Sequence, residues 1–357
     1  MRLDQILLVF LALLFPVLPT HSAEIGPGSS PGCQLKLEGS IQAGDSEKLS
    51  ATLDGLSSES GNVSMCLNSL GGNYDEALKL ITIVLKHTNV ATVVDHGAEC
   101  YSACAFLFLA GNTQRSEDGE LAPDRTLDVR ATLGFHAPYL NTGTGTDVAD
   151  ATIRNFRRGV NAIAKLLEID RRELFPRGLL AKALQVEPNY LLYIDTIEKA
   201  GVWSIKLKGF KPPTALTARM LDQACRNKDL WTNFSHTVLG RPADDPEQLH
   251  GLSQSDFPEI RGSNEPIKLS QGRYHEALDL FGYEATNLCI VDVFSNEKKE
   301  LFLSLSMVPA DQEGPKPEQF AEQVMARLND PQSLEVISTP LWYVYSPDTA
   351  LMSLARP

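Results

Sequence analysis

The sequence predicts an α/β fold followed by a smaller α+β unit, and three observations carry that prediction. Between residues 33 and 200, short apolar runs alternate with stretches of helical periodicity, the pattern of parallel βαβ units rather than of a meander or a helix bundle. Lys211-Pro212-Pro213 then interrupts regular structure, and the chain changes character beyond it. Finally, 357 residues exceed an average domain of roughly 100–200, and an apolar fraction of 43% is enough for two cores. The expected division is residues 33–210 and residues 211–357.

Residues 1–23 have the layout of a secretory signal. Met1-Arg2 leads into an apolar stretch from Ile6 to Leu18, broken by Pro16 and Pro19, and Thr20-His21-Ser22-Ala23 supplies small residues for cleavage near Ala23. A membrane anchor is the competing reading, but the stretch is shorter than the roughly 20 apolar residues that span a bilayer. A periplasmic or secreted location follows. Residues 24–32 are rich in Gly, Pro and Ser and read as a flexible lead-in, with the folded part starting near Cys33.

Within the first unit, Cys33 to Ile41 alternates like a strand, Asp45 to Leu56 suits a helix, and Val63 to Leu67 is an apolar run ending in Asn68-Ser69-Leu70-Gly71-Gly72. Tyr74 to His87 is a helix with Asp75 and Glu76 in its first turn, where they favour the dipole, and Val90 to Val94 is a buried strand. Ser102 to Ala110 fits a buried helix or a strand equally, and Ala131 to Phe135 is a further strand. Ile153, Phe156, Val160, Ile163 and Leu167 step by three and four along a helix. Helical segments continue to Ala200, with Gly201 as the stop. The second unit holds a helix around Cys225, a hairpin of Cys289 to Phe294 and Leu301 to Ser306, a helix over Glu318 to Leu328 and a strand over Leu341 to Tyr345.

A net charge of −13 argues against nucleic acid or an anionic membrane surface as partner. Six cysteines in an exported chain point to disulfides. Cys225 and Cys289 share the C-terminal third, Cys33 and Cys66 sit on neighbouring strands, and Cys100 and Cys104 would be left to each other; other connectivities and free thiols stay open.

Three segments could carry chemistry. Gly71-Gly72 after a strand can present amides to an oxyanion, though a plain strand-to-helix turn has the same look. Ser102 opens an apolar segment, as a nucleophile or as a helix cap. His136, before Ala137-Pro138, is a candidate general base or an ordinary hydrogen-bonded histidine. His96, Cys100 and Cys104 are spaced by four, but without a fourth ligand they make a poor metal site, and neither a metal nor another cofactor is expected.

Taken as a set, Asn68-Ser69-Leu70-Gly71-Gly72, Ser102 leading to Ala110-Gly111 and Arg115, and His136-Ala137-Pro138 resemble the proteolytic subunit of Clp protease, in order and spacing. The resemblance covers residues 33–206. It implies a ClpP/crotonase-like spiral of parallel βαβ units, with Ser102 as nucleophile, His136 as base and the amides of Gly71 or Gly72 and Ala103 as oxyanion donors. The family's third member, an Asp, falls on Asn189, with Glu187 as a substitute and Asp195 farther off. Leu70 replaces the family's Pro, residues 116–130 read as a polar insertion, and two cysteines flank the serine. The cysteine-flanked serine is similar to a secreted or periplasmic branch of the family. The implied activity is a serine hydrolase acting on peptide or protein substrate without an ATPase, since exported chains lack ATP; homo-oligomers follow by family analogy only. A catalytically inactive ClpP-like binding or scaffold protein is the alternative, and crotonase-like chemistry on acyl thioesters a third reading.

Overall fold

The computed structural model describes residues 22–28, 32–56, 62–114, 121–138, 148–170, 174–187, 190–235, 262–270, 273–279, 287–296, 298–309 and 339–356. In chain order they form β1 (Glu24–Pro27), β2 (Leu35–Glu38), α1 (Asp45–Leu56), β3 (Val63–Asn68), α2 (Tyr74–Lys86), β4 (Val90–Val94), β5 (Glu99–Tyr101), α3 (Ala103–Phe108), β6 (Asn112–Gln114), β7 (Leu121–Pro123), β8 (Arg125–Asp128) and β9 (Thr132–Phe135). There follow α4 (Val148–Ile169), α5 (Arg177–Gln185), β10 (Leu192–Tyr193), α6 (Ile197–Val202), β11 (Lys206–Lys208), α7 (Ala218–Ser235), β12 (Arg273–Asp279), β13 (Asn287–Ser295) and β14 (Leu301–Pro309). The molecule is a mixed α/β structure.

The main sheet has the order β1-β2-β3-β4-β8-β11, parallel throughout except for β1. Parallel strands are covered on both faces, which is why β3 and β4 are nearly continuous apolar runs with Val63, Met65, Leu67, Val90 and Val94 buried. Helix α2 supplies Ala77, Leu80, Ile81 and Val84 to the same core, and its Asn73 cap accepts from the Glu76 amide at 3.1 Å. A second sheet, β10-β9-β5, pairs β5 parallel to β9 and β10 antiparallel to it. Its link to the main sheet is Ser69, just past β3, which donates to Glu99 O at 2.7 Å and accepts from Tyr101 N at 3.0 Å.

Several expectations need correction. Residues 24–27 are no loose lead-in: β1 pairs with β2, and Ala23 before it is 2% exposed. Gly26 and Pro27 are tolerated there because an edge strand needs hydrogen bonds on one side only. The supposed insertion at 116–130 contains β8, which lies between β4 and β11 in the main sheet. Its Arg125 is fully buried because its guanidinium donates to Leu109 O, Leu174 O and Ser204 O at 3.1–3.3 Å. Desolvation brings that guanidinium down to about 10, against the pull of Asp170. The segment before Gly201 is not continuously helical, because β10 intervenes, and Gly201 lies inside α6 where Trp231 leaves no room for a Cβ. Leu341–Val344 is a 3-10 turn instead of a strand, and the expected helix over 318–328 lies outside the described residues.

The C-terminal sheet, β12-β13-β14, is antiparallel, and α7 packs on it through Leu221, Ala224 and Cys225. The chain then returns to the first core. Trp342 stacks on Trp231 with centroids 5.4 Å apart, Leu351 N donates to Asp195 O at 2.8 Å, and Lys211 N donates to Leu354 O at 2.8 Å. Three disulfides join Cys33 to Cys66, Cys100 to Cys104 and Cys225 to Cys289. They point to an oxidising, extracytoplasmic environment. Among the described residues no helix is long and apolar enough to cross a membrane.

Candidate active site

Two strand-to-helix turns meet at Ser102. The first runs from β3 to α2. Gly71 adopts φ +97°, and a Cβ placed on it would lie 2.9 Å from Ser102 Cβ and 3.1 Å from Ala103 N. Only glycine lets this backbone approach the serine so closely. Gly72, at φ +141°, is pressed on its other side against the backbone of Ile41. The Gly71 amide donates to Ser69 Oγ at 3.1 Å. The Gly72 amide makes no backbone hydrogen bond among the described residues, and Ala103 N belongs to the first turn of a helix, which has no intrahelical acceptor.

The second turn runs from β5 to α3 through Ser102 itself. Ser102 sits at φ 56° and ψ −122°, a conformation that costs a non-glycine residue about 1–3 kcal/mol. Its side chain makes no capping hydrogen bond to α3, so the helix-cap reading does not hold. A sharp, strained strand-turn-helix corner is the geometry that lifts a serine hydroxyl clear of a sheet as a nucleophile. The corner is held from both sides: Ser102 N donates to Gly134 O at 3.0 Å, and the buried Cys100–Cys104 disulfide spans it.

His136 follows β9, the parallel neighbour of β5. Tyr101 is in register with Gly134, so the residues after each strand, Ser102 and His136, leave the sheet at the same end. His136 is 7% exposed, and its Nδ1 lies 2.7 Å from the carbonyl of Ala137. A carbonyl can only accept, so the neutral ring bonded to it carries its proton on Nδ1 and keeps the Nε2 lone pair. β10 flanks β9, with Leu191 and the Tyr101 ring both 3.2 Å from where a Gly134 Cβ would stand. Burial, then the hydrogen bond to Glu99 at 2.8 Å, push the Tyr101 hydroxyl up.

The expected third member is not placed. Asn189 lies outside the described residues, and so does Arg115. Glu187 is exposed, and Asp195 is engaged elsewhere, 2.7 Å from Lys199 Nζ. The disulfide consumes both thiols of the His96, Cys100 and Cys104 set, which removes the metal reading. The Ala137 carbonyl and the Ser69 hydroxyl were not foreseen; a Ser two residues before a glycine is the turn signal that could have flagged Ser69.

No protein-family model matches the chain, and no curated protein matches it. Among solved structures it is similar to a point mutant of ClpP1 from Listeria monocytogenes, at 14% identity, covering 48% of this chain and 89% of that one, with a TM-score of 0.33. This is a weak ClpP-like structural relationship and carries no residue-by-residue correspondence.

Proposed function

We propose that the protein is an extracytoplasmic serine hydrolase, a peptidase in class, built on a ClpP-like spiral of βαβ units with an appended C-terminal α+β domain. The observation that carries this reading is Ser102, a non-glycine residue held at positive φ between a strand and a helix with a glycine turn pressed against it. Of the four non-glycine residues at positive φ among the described residues, Ser102 is the one that joins a strand to a helix, and strained residues of this kind cluster at active sites.

In the proposed reaction Ser102 Oγ attacks the carbonyl carbon of a peptide while His136 Nε2 takes its proton. The oxyanion is stabilised by the amides of Gly72 and Ala103, with Gly71 N shared with Ser69 Oγ. The imidazolium returns the proton to the leaving amine, and water then hydrolyses the acyl-enzyme by the same route. His136 is oriented by the Ala137 carbonyl, whose partial charge stabilises imidazolium less than a carboxylate does. That favours slow turnover, and it makes a binding or scaffold protein without turnover the second reading. No metal or cofactor enters the scheme, and the substrate is peptide or protein; the reading includes no ATPase partner, and a homo-oligomer remains an expectation by family analogy.

The test is labelling of the disulfide-intact protein with a fluorophosphonate, beside Ser102→Ala and His136→Ala. Stoichiometric labelling lost in both variants supports the hydrolase. A folded protein that takes up no label supports the binding reading instead.

A further inference from the structure

Asp45 is a fully buried carboxylate at the start of α1 that gathers two backbone amides and the Lys48 ammonium. Oδ2 accepts from the amides of Gln42 at 2.8 Å and Ala23 at 3.2 Å, and Oδ1 accepts from Lys48 Nζ at 3.1 Å. Ala23, on the edge of the main core, is 2% exposed, whereas Ser22 before it is exposed and its hydroxyl accepts from Lys48 Nζ at 2.6 Å. Among the described residues burial therefore begins at Ala23.

We infer that maturation cuts the Ser22–Ala23 bond, and that the new α-ammonium of Ala23 docks on the Asp45 carboxylate. The residues before the bond support this. A leader site asks for small residues at the first and third positions before the cut, and Ser22 and Thr20 supply them. Cleavage one residue later would put His21 at the third position and discard a buried residue that gives Asp45 one of its donors. The reaction is hydrolysis by a signal peptidase of the exporting cell: one water is consumed, Ser22 leaves with a carboxylate and Ala23 gains an amine that protonates. An ammonium replaces a neutral amide donor beside a desolvated carboxylate, a charge-assisted hydrogen bond roughly twice as strong as a neutral one. Cleavage precedes folding, so burial of Ala23 does not block the peptidase. The inference rests on residues 1–22 acting as an export leader and is independent of the chemistry at Ser102.

The test is expression of the full chain in an exporting bacterial host, with intact mass and N-terminal sequencing of the exported fraction. The expected product begins at Ala23. A product beginning at Glu24 or elsewhere overturns the inference, and an uncut exported chain or one retained in the cytoplasm overturns the leader reading as well. Docking is read by acylation of the α-amine at pH 7 with a limiting amine-reactive reagent. The mature protein should react about tenfold more slowly than Asp45→Asn, the effect of one pKa unit on the free amine. If Asp45→Asn does not fold, the urea-unfolded native chain provides the comparison. Equal rates overturn the docking.

Discussion

The turns from β3 to α2 and from β5 to α3 do the same architectural job and solve it in opposite ways. The first uses Gly71 and Gly72 at φ +97° and +141°, where a side chain would collide with the neighbouring backbone. The second accepts a serine at φ 56° although glycine would fit the backbone without strain. The first turn takes glycine where two backbones close on each other; the second holds a serine in a strained conformation with a disulfide across it. The two turns are so close that a Cβ built on Gly71 would stand 2.9 Å from Ser102 Cβ.

The largest expected effect comes from filling the glycine turn. A Cβ at position 72 would lie 2.3 Å from Ile41 O, a backbone atom that cannot step aside. Gly72→Ala should therefore destabilise the protein by about 3 kcal/mol or more, read as a lower urea midpoint. Gly71→Ala meets Ser102 Cβ and Tyr101 O at 2.9 Å, so it should also slow fluorophosphonate labelling by displacing the serine. Normal stability in Gly72→Ala would break the claim that this turn is set by close packing.

Next comes the brace. The Cys100–Cys104 disulfide closes a short loop, with a sequence separation of 4, so its removal as the double Ala variant should cost only about 2 kcal/mol by loop entropy. Its effect on labelling should be larger than that loss suggests, because Ser102 can then relax towards an ordinary backbone conformation. Unchanged labelling would mean that Gly71 and Gly134 hold the serine without help.

Ser102→Gly sharpens the comparison from the other side. Relief of the strained φ, offset by the entropy that glycine adds to the unfolded chain, should raise stability by about 1 kcal/mol while abolishing labelling. Ser102→Ala keeps the Cβ and should show the loss of labelling without the gain. If the two variants are equally stable, the strain argued for Ser102 is absent.

Much of this frame could be read before the structure. α1 follows its expected bounds, Asp45 to Leu56, and the disulfides are the three pairs weighed from the sequence, where Cys33–Cys66 followed from neighbouring strands and the other connectivities had stayed open. What stayed hidden has physical reasons. β1 is held by main-chain pairing, which Gly26 and Pro27 mask in composition. β8 looks polar because burial of Arg125 depends on three carbonyls, from residues 16, 49 and 79 positions away. At the site, the resemblance to the Clp proteolytic subunit, carried by the order and spacing of three segments, named Ser102 and His136 as candidates, but neither the φ of Ser102 nor the carbonyl on His136 Nδ1 has a side-chain signature.

The smallest expected effect concerns Glu76, whose carboxylate ties the start of α2 to the turn that leads into α1. Its Oε1 accepts from the amides of Gly44 at 3.2 Å and Ser46 at 2.8 Å, and its Oε2 from Lys79 Nζ at 2.9 Å. Desolvation raises the carboxyl, but the hydrogen bonds from Lys79 and Ser46 outweigh it and hold the group at about 2. A folded value below the unfolded one means that the contribution is complete above about pH 4.5 and is lost as pH falls towards 2. Glu76→Gln keeps an acceptor for the two amides and loses only the charge, and the Lys79 side chain is 59% exposed, so solvent screens that term. The variant should have a slightly lower urea midpoint than the parent at pH 7, and the two should converge as pH falls from 4.5 towards 2, so that the variant's acid limb is flatter. An acid limb as steep as the parent's would assign acid sensitivity to another carboxylate and leave Glu76 as a neutral brace of the turn.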